Sequence, residues 1–152
     1  MRQASRALRF VEEHGVVLAS AKGPAPRLIE HLAGEPVAGN WWSHPRAKEI
    51  YNALAQVQDH EDVLVCRLIR GKVTLVHRRL WPALVRLAAS FPAAALDRVR
   101  DEHTPTGQHV SRTAPFPAWV PPDVLAAGAA LTEAAALAML PTALAGGARR
   151  KP

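Results

Sequence analysis

An α+β fold follows from three features of the sequence. Apolar residues recur at helical spacing in the segments up to Glu49-Ile50-Tyr51 and again after Trp81. A β-branched run, Val16-Val17-Leu18-Ala19, sits between the first two helical segments. From Val63 to Leu80 apolar and polar residues alternate on either side of Arg70-Gly71, the pattern of a β-hairpin. The order is helix, short strand, helix, helix, hairpin, followed by a mainly helical remainder.

The first helix is expected over Ala4–His14, with Ala7, Leu8, Phe10 and Val11 on its apolar side and Gly15 as its stop. Ser20 to Pro24 is a loop, and Pro24 or Pro26 suits the first turn of a second helix, Ala25–Ala33, ended by Gly34. Its apolar face is Leu28, Ile29 and Leu32. Glu35 to Trp42 is a loop holding Gly39-Asn40 and the pair Trp41-Trp42. Ser43 or His44 can cap a third helix with Pro45 in its first turn. That helix buries Ala47, Ile50, Tyr51 and Leu54 and exposes Arg46, Lys48, Glu49, Asn52 and Gln56. Asp59-His60-Glu61-Asp62 is an acidic turn into the hairpin.

With a two-residue loop at Arg70-Gly71, the hairpin pairs Leu68 with Val73, Cys66 with Leu75 and Leu64 with His77 on one largely apolar face. The other face pairs Ile69 with Lys72, Arg67 with Thr74, Val65 with Val76 and Val63 with Arg78. Gly71 supplies the positive φ of a type I′ turn, for which Arg70 is a poor first residue. Beyond it, Trp81-Pro82 opens a helix with Leu84, Val85 and Leu87 that breaks at Pro92. A second helical segment is expected over Ala93–Glu102, with Leu96 and Val99 facing inward. The expected organisation is a domain over residues 1–102, a Pro-rich connector over 103–122, an Ala-rich docking helix over 123–141 and a disordered basic tail over 142–152.

Composition narrows the function classes. A single cysteine excludes a disulfide framework and multi-cysteine zinc motifs, and Cys66 falls on the inner hairpin face as a small buried hydrophobe. Seven histidines follow no metal-ligand spacing; His103 and His109, beside Asp101 and Glu102, are the nearest approach to a cation clip. His77 reads as a hydrogen-bonded core residue. No signal peptide is read at the N-terminus, and the run Val124–Leu140 is too rich in alanine for a membrane span, so a cytoplasmic protein without cofactor or metal is expected.

Charge is the most specific signal. The formal net charge is +6, and the acid-free run from Val63 to Leu96 holds Arg67, Arg70, Lys72, Arg78, Arg79 and Arg86, so the remaining acids and bases cancel. A surplus collected on one ribbon points to a polyanionic partner. All but four of the 19 basic residues are arginine, whose planar fork suits phosphate and guanine edges. A GC-rich genome would also favour arginine, though not its clustering.

The element order from Ala4 to about Arg79 resembles the winged helix-turn-helix superfamily. The resemblance lies in topology, without a diagnostic motif, and the loop from Glu35 to Ser43 is longer than the usual turn of that superfamily. It implies a third helix in the major groove and the hairpin as a wing. Nucleic acid, with duplex DNA favoured, is then the expected partner. Phosphate contacts would come from Arg67, Arg70, Lys72 and one of Arg78 and Arg79, which as strand neighbours point to opposite faces. Arg46, Lys48 and Asn52 are candidate base readers, Trp41 and Trp42 candidate stacking residues, and Lys22 a candidate phosphate contact.

Each assignment has a structural alternative: edge protection for the ribbon, a solvated face for the helix, and loop anchoring for the tryptophans. Two other functions stay open. One is a small repair or nucleotide-processing enzyme with a pocket of Trp41, Trp42, His44 and His77. The other is an interaction module whose C-terminal helices dock a protein partner or a second copy.

Overall fold

The structure, a computed structural model, describes residues 2–18, 26–34, 45–103, 109–142 and 144. The chain is α+β. Its elements are α1 (Arg2–His14), β1 (Val16–Leu18), α2 (Pro26–Ala33), α3 (Ala47–Asp59), β2 (Val63–Ile69), β3 (Lys72–His77), α4 (Trp81–Arg86), β4 (Arg98–His103), β5 (His109–Ala114), α5 (Pro122–Ala130) and α6 (Glu133–Met139). β1, β3 and β2 form an antiparallel sheet in that order, and β4 and β5 form a separate two-stranded ribbon.

The N-terminal elements form where their apolar spacing and stop residues direct. Ala7, Phe10 and Val11 line the buried side of α1, and Gly15, at φ +76°, returns its N–H to the Val11 carbonyl at 2.8 Å. A side chain at Gly15 would run into Leu80, so this turn also seats α1 against the end of β3. Gly34, at φ +78°, closes α2 through a bond to the Glu30 carbonyl at 2.9 Å. In α3 the buried stripe is Ile50, Ala53, Leu54 and Val57. This helix begins later than the sequence predicts: Pro45 and Arg46 form a turn outside it, and Arg46 at the cap position gives no side-chain cap.

The hairpin closes through the expected two-residue turn. Arg70 at φ +52° and Gly71 at φ +73° both occupy the left-handed region, as a type I′ turn requires. Ile69 pairs with Lys72 as predicted, but the register slips by one between Cys66 and Ile69. Below this bulge Cys66 opposes Thr74, Val65 opposes Leu75, Leu64 opposes Val76 and Val63 opposes His77. The predicted pairs of Cys66 with Leu75, Arg67 with Thr74, Val65 with Val76, Leu64 with His77 and Val63 with Arg78 do not form. The slip redistributes the side chains so that neither face is a solvent face.

One face carries Leu64, Cys66, Leu68 and Val76 into a core with Trp81, Leu84, Leu87, Val124, Ala136 and Leu140. The other carries Val63 and Leu75, with Val17 of β1, into a core with Phe10, Val11, Leu32, Ile50, Leu54 and Val57. The result is three layers: α1 to α3, the sheet, and the C-terminal helices.

Two predictions about the C-terminal half are overturned. Ala93–Glu102 is not a helix: a turn over 92–97 leads into β4, which pairs with β5 from Arg98 opposite Ala114 to His103 opposite His109. Val99 alternates with Arg98 and Arg100 and alone of the three is buried, a period-two pattern. The partner strand lies in the segment read as a connector. Phe116 and Trp119 then tie the chain back, through the Phe116 N–H to Asp97 Oδ1 at 2.9 Å and Trp119 Nε1–H to the Leu96 carbonyl at 2.8 Å.

The single helix expected over Asp123–Leu140 is two helices, α5 and α6, bent by 116°. Thr132 starts α6 by accepting the Ala135 N–H on its side-chain oxygen at 3.0 Å, with Glu133 in the first turn. Both helices pack on α4. Val124, Gly128, Ala136 and Leu140 are buried against α4, and Arg86 Nε donates to the Leu131 carbonyl at 2.9 Å. Among the described residues no single helix is long and apolar enough to cross a membrane.

Gly128 sets the spacing between α4 and α5. A Cβ there would lie 2.9 Å from the Pro82 carbonyl oxygen and 2.8 Å from Val85 Cγ1. Gly128→Ala gains about 1 kcal/mol of helix propensity, but overpacking costs about 1–3 kcal/mol. A net loss of stability is expected, read as a lower urea midpoint. A gain would show that the two helices can separate freely.

Candidate nucleic-acid interface

The tip of the β2–β3 ribbon presents Arg67, Arg70 and Lys72, all exposed. None of the three forms an ion pair with a described residue. Arg67 is fixed through its backbone, whose N–H donates to the Ala95 carbonyl at 3.2 Å, leaving the guanidinium free of the core. Arg70 occupies a conformation that costs a non-glycine residue about 1–2 kcal/mol. Ala94 shares that conformation at φ +66°. The tip therefore combines three cations and no acid on a ribbon whose base is buried.

The other cations of the acid-free run have structural work at the far end of β3. Arg78 and Arg79 were expected in the strand, but β3 ends at His77 and both lie in a 3₁₀ turn, Arg78–Leu80. Arg78 Nη2 donates to both carboxylate oxygens of Asp123 at 3.0 and 3.2 Å, and its guanidinium lies 5.5 Å from the centre of the Trp81 ring. Arg79 binds the last carbonyls of α1, from Nε to Glu12 at 2.7 Å and from Nη2 to Glu13 at 3.2 Å, where a cation also meets the negative end of the helix dipole. With Arg86 bonded to Leu131, half of the run serves the fold.

On α3, Lys48, Asn52 and Gln56 are exposed and follow one another at four-residue intervals, so they share one face. Arg46, at the cap of α3, is paired with Glu49 at 3.5 Å. Lys22, Trp41, Trp42 and His44 fall outside the described residues.

A second basic surface was not anticipated. Arg98, Arg100 and Arg112 gather on the β4–β5 ribbon, with Arg100 directly opposite Arg112. Together with Thr113, Ala114 and Trp119 they line a cleft of about 580 Å³. Burial and the neighbouring Arg100 charge both lower the Arg98 pKa. The signal was present as Arg98-Val99-Arg100 and Ser111-Arg112-Thr113, two short alternating runs. It was masked by Asp101-Glu102 and by the prolines that follow.

Comparisons with known proteins add no relatives: no protein family matches the chain, and no curated protein or solved structure is significantly similar to it.

His77 is a core residue, as expected. It is buried, its Nδ1 accepts the Arg79 N–H at 3.1 Å, and its Nε2 lies 3.8 Å from Glu12. Cys66 is buried as well, and burial pushes its thiol up to about 12, which leaves it protonated and unreactive. The ribbon register sets His103 opposite His109, yet no group of three or more metal-ligating side chains occurs among the described residues.

Burial lowers the His77 pKa from 6.5 more strongly than Glu12 and Asp62 raise it, with Arg79 and His60 adding to the lowering. Between that lowered value and 6.5 the unfolded chain binds more protons than the native one, so stability falls as pH drops through this window. The urea midpoint is expected to decrease from about pH 7.5 to about pH 5.5. His77→Gln is expected to flatten that decrease, and an equal slope in wild type and variant would assign it to other groups.

Proposed function

We propose that this chain is a winged-helix-type protein that binds nucleic acid, with duplex DNA the favoured form. The observation that carries the reading is the β2–β3 tip, where Arg67, Arg70 and Lys72 project from a buried sheet with no acid among them. The topology supports it: α1, β1, α2 and α3 precede a ribbon whose second strand is central in a β1–β3–β2 sheet. In this reading the tip neutralises phosphates, and the α3 face of Lys48, Asn52 and Gln56 lies toward base edges, where asparagine and glutamine suit adenine. Arg78 and Arg79 drop out of the contact set because their guanidinium groups are engaged within the fold.

Binding of a random duplex across a salt series tests the reading. Each phosphate neutralised contributes about 0.9 to the slope of log affinity against log salt. Replacing Arg67, Arg70 and Lys72 together by Ala is expected to weaken binding on all sequences and to reduce that slope by about 2–3. An unchanged slope removes the tip from the interface.

Arg70→Asn separates the two properties of the turn. Asparagine suits the left-handed region, so the variant is expected to gain about 0.5–1 kcal/mol of stability. It is also expected to bind duplex more weakly, with a slope reduced by about 1. A thermal melt and the same salt series check both outcomes.

A further inference from the structure

We propose that the cleft on the β4–β5 ribbon is a binding site for a phosphate-bearing ligand of nucleotide size. Its described lining contains three arginines and no acid: Arg98, Arg100 and Arg112, with Thr113, Ala114 and Trp119. Its volume, about 580 Å³, falls in the range that holds small organic ligands and far exceeds a single phosphate. Arginine forks bind phosphate oxygens bidentately. Trp119, whose Nε1–H is already committed to the Leu96 carbonyl, offers this space an apolar indole wall and no further donor.

Like charges converge on this face of the ribbon. Arg100 and Arg112 stand directly opposite across the ribbon, where like charges are destabilising, and the Arg100 charge also disfavours the charged form of Arg98. Arg112 has a further interaction within the structure. Neither Arg98 nor Arg100 forms an ion pair with a described residue. A bound anion would offset the effect of the Arg100 charge on Arg98. A second cleft, of about 310 Å³, makes the contrast: Arg78 and Arg79 line it together with Asp62 and Asp123, so acids of its own stand among its cations. None of Arg67, Arg70 and Lys72 lines the β4–β5 cleft, and the proposal does not rest on the winged-helix reading.

Calorimetric titration of the full chain at low salt tests the proposal, with ATP, inorganic tripolyphosphate, adenosine and a short 5′-phosphorylated single-stranded DNA as probes. The phosphorylated probes are expected to bind and adenosine is not. Arg100→Gln with Arg112→Gln is expected to weaken the best probe by about tenfold or more. Arg67, Arg70 and Lys72 together changed to Ala should leave the affinity for ATP within about twofold, although that variant loses more net charge. Among the probes whose binding Arg100→Gln with Arg112→Gln weakens, ATP as the tighter assigns the site to free nucleotides, and the oligonucleotide as the tighter assigns it to a strand.

Arg100→Gln alone serves as the folding control. Relief of like-charge repulsion predicts an unchanged or higher melting temperature, and ATP should raise the melting temperature of wild type more than that of the variant. The proposal is overturned if no phosphorylated probe binds wild type, if the Gln variants bind equally well, or if the tip variant loses ATP binding to the same degree.

Discussion

Both faces of the β1–β3–β2 sheet are buried, and the rest of the chain is arranged around that constraint. A hairpin in perfect register would have kept one face for solvent and set Arg67 on it opposite Thr74. The single slip between Cys66 and Ile69 instead points Leu64, Cys66 and Val76 one way and Val63 and Leu75 the other. Two apolar faces need two covers. The helices α1 to α3 cover one, and α4 to α6 cover the other, which is why the C-terminal half joins the core of the first half.

The same constraint divides the cations into two groups. At the base of the ribbon, near the helices, Arg78 and Arg79 meet a carboxylate and the carbonyl end of α1, and they fix how the layers abut. Beyond the covers, at the tip, Arg70 and Lys72 are exposed to solvent. A charge count over the sequence cannot separate these groups. Their difference arises from where β3 stops, one residue before Arg78.

The N-terminal elements were legible because each carries its own punctuation: Gly15 and Gly34 stop α1 and α2, and Arg70-Gly71 turns the ribbon. The bulge was not, since a one-residue slip leaves composition and alternation unchanged on either side of it. The β4–β5 ribbon was missed for a different reason. Leu96 and Val99 fit helical spacing as well as strand spacing, and only the pairing with residues 109–114 decides between them. The break between α5 and α6 was visible in retrospect as Thr132-Glu133, a cap and an acidic first turn inside an alanine-rich run. Of the candidate site, Arg67, Arg70 and Lys72 stand together as the sequence suggested, while the fates of Arg78 and Arg79 depend on Asp123 and on Glu12 and Glu13, remote in sequence.

The position of β1 bears on how such a chain assembles. Val16 pairs with Val76, so the N-terminal strand finds its partner only across most of the first half of the sequence. The ribbon is local and can close within its own residues, whereas the β1 edge must wait for it. During synthesis, Gly15 and the strand after it stay unpaired until His77 has emerged, because His77 donates its N–H to the Gly15 carbonyl. The β1 edge therefore stays open after the residues that carry it have emerged, and an unpaired strand edge is a template for pairing with another chain.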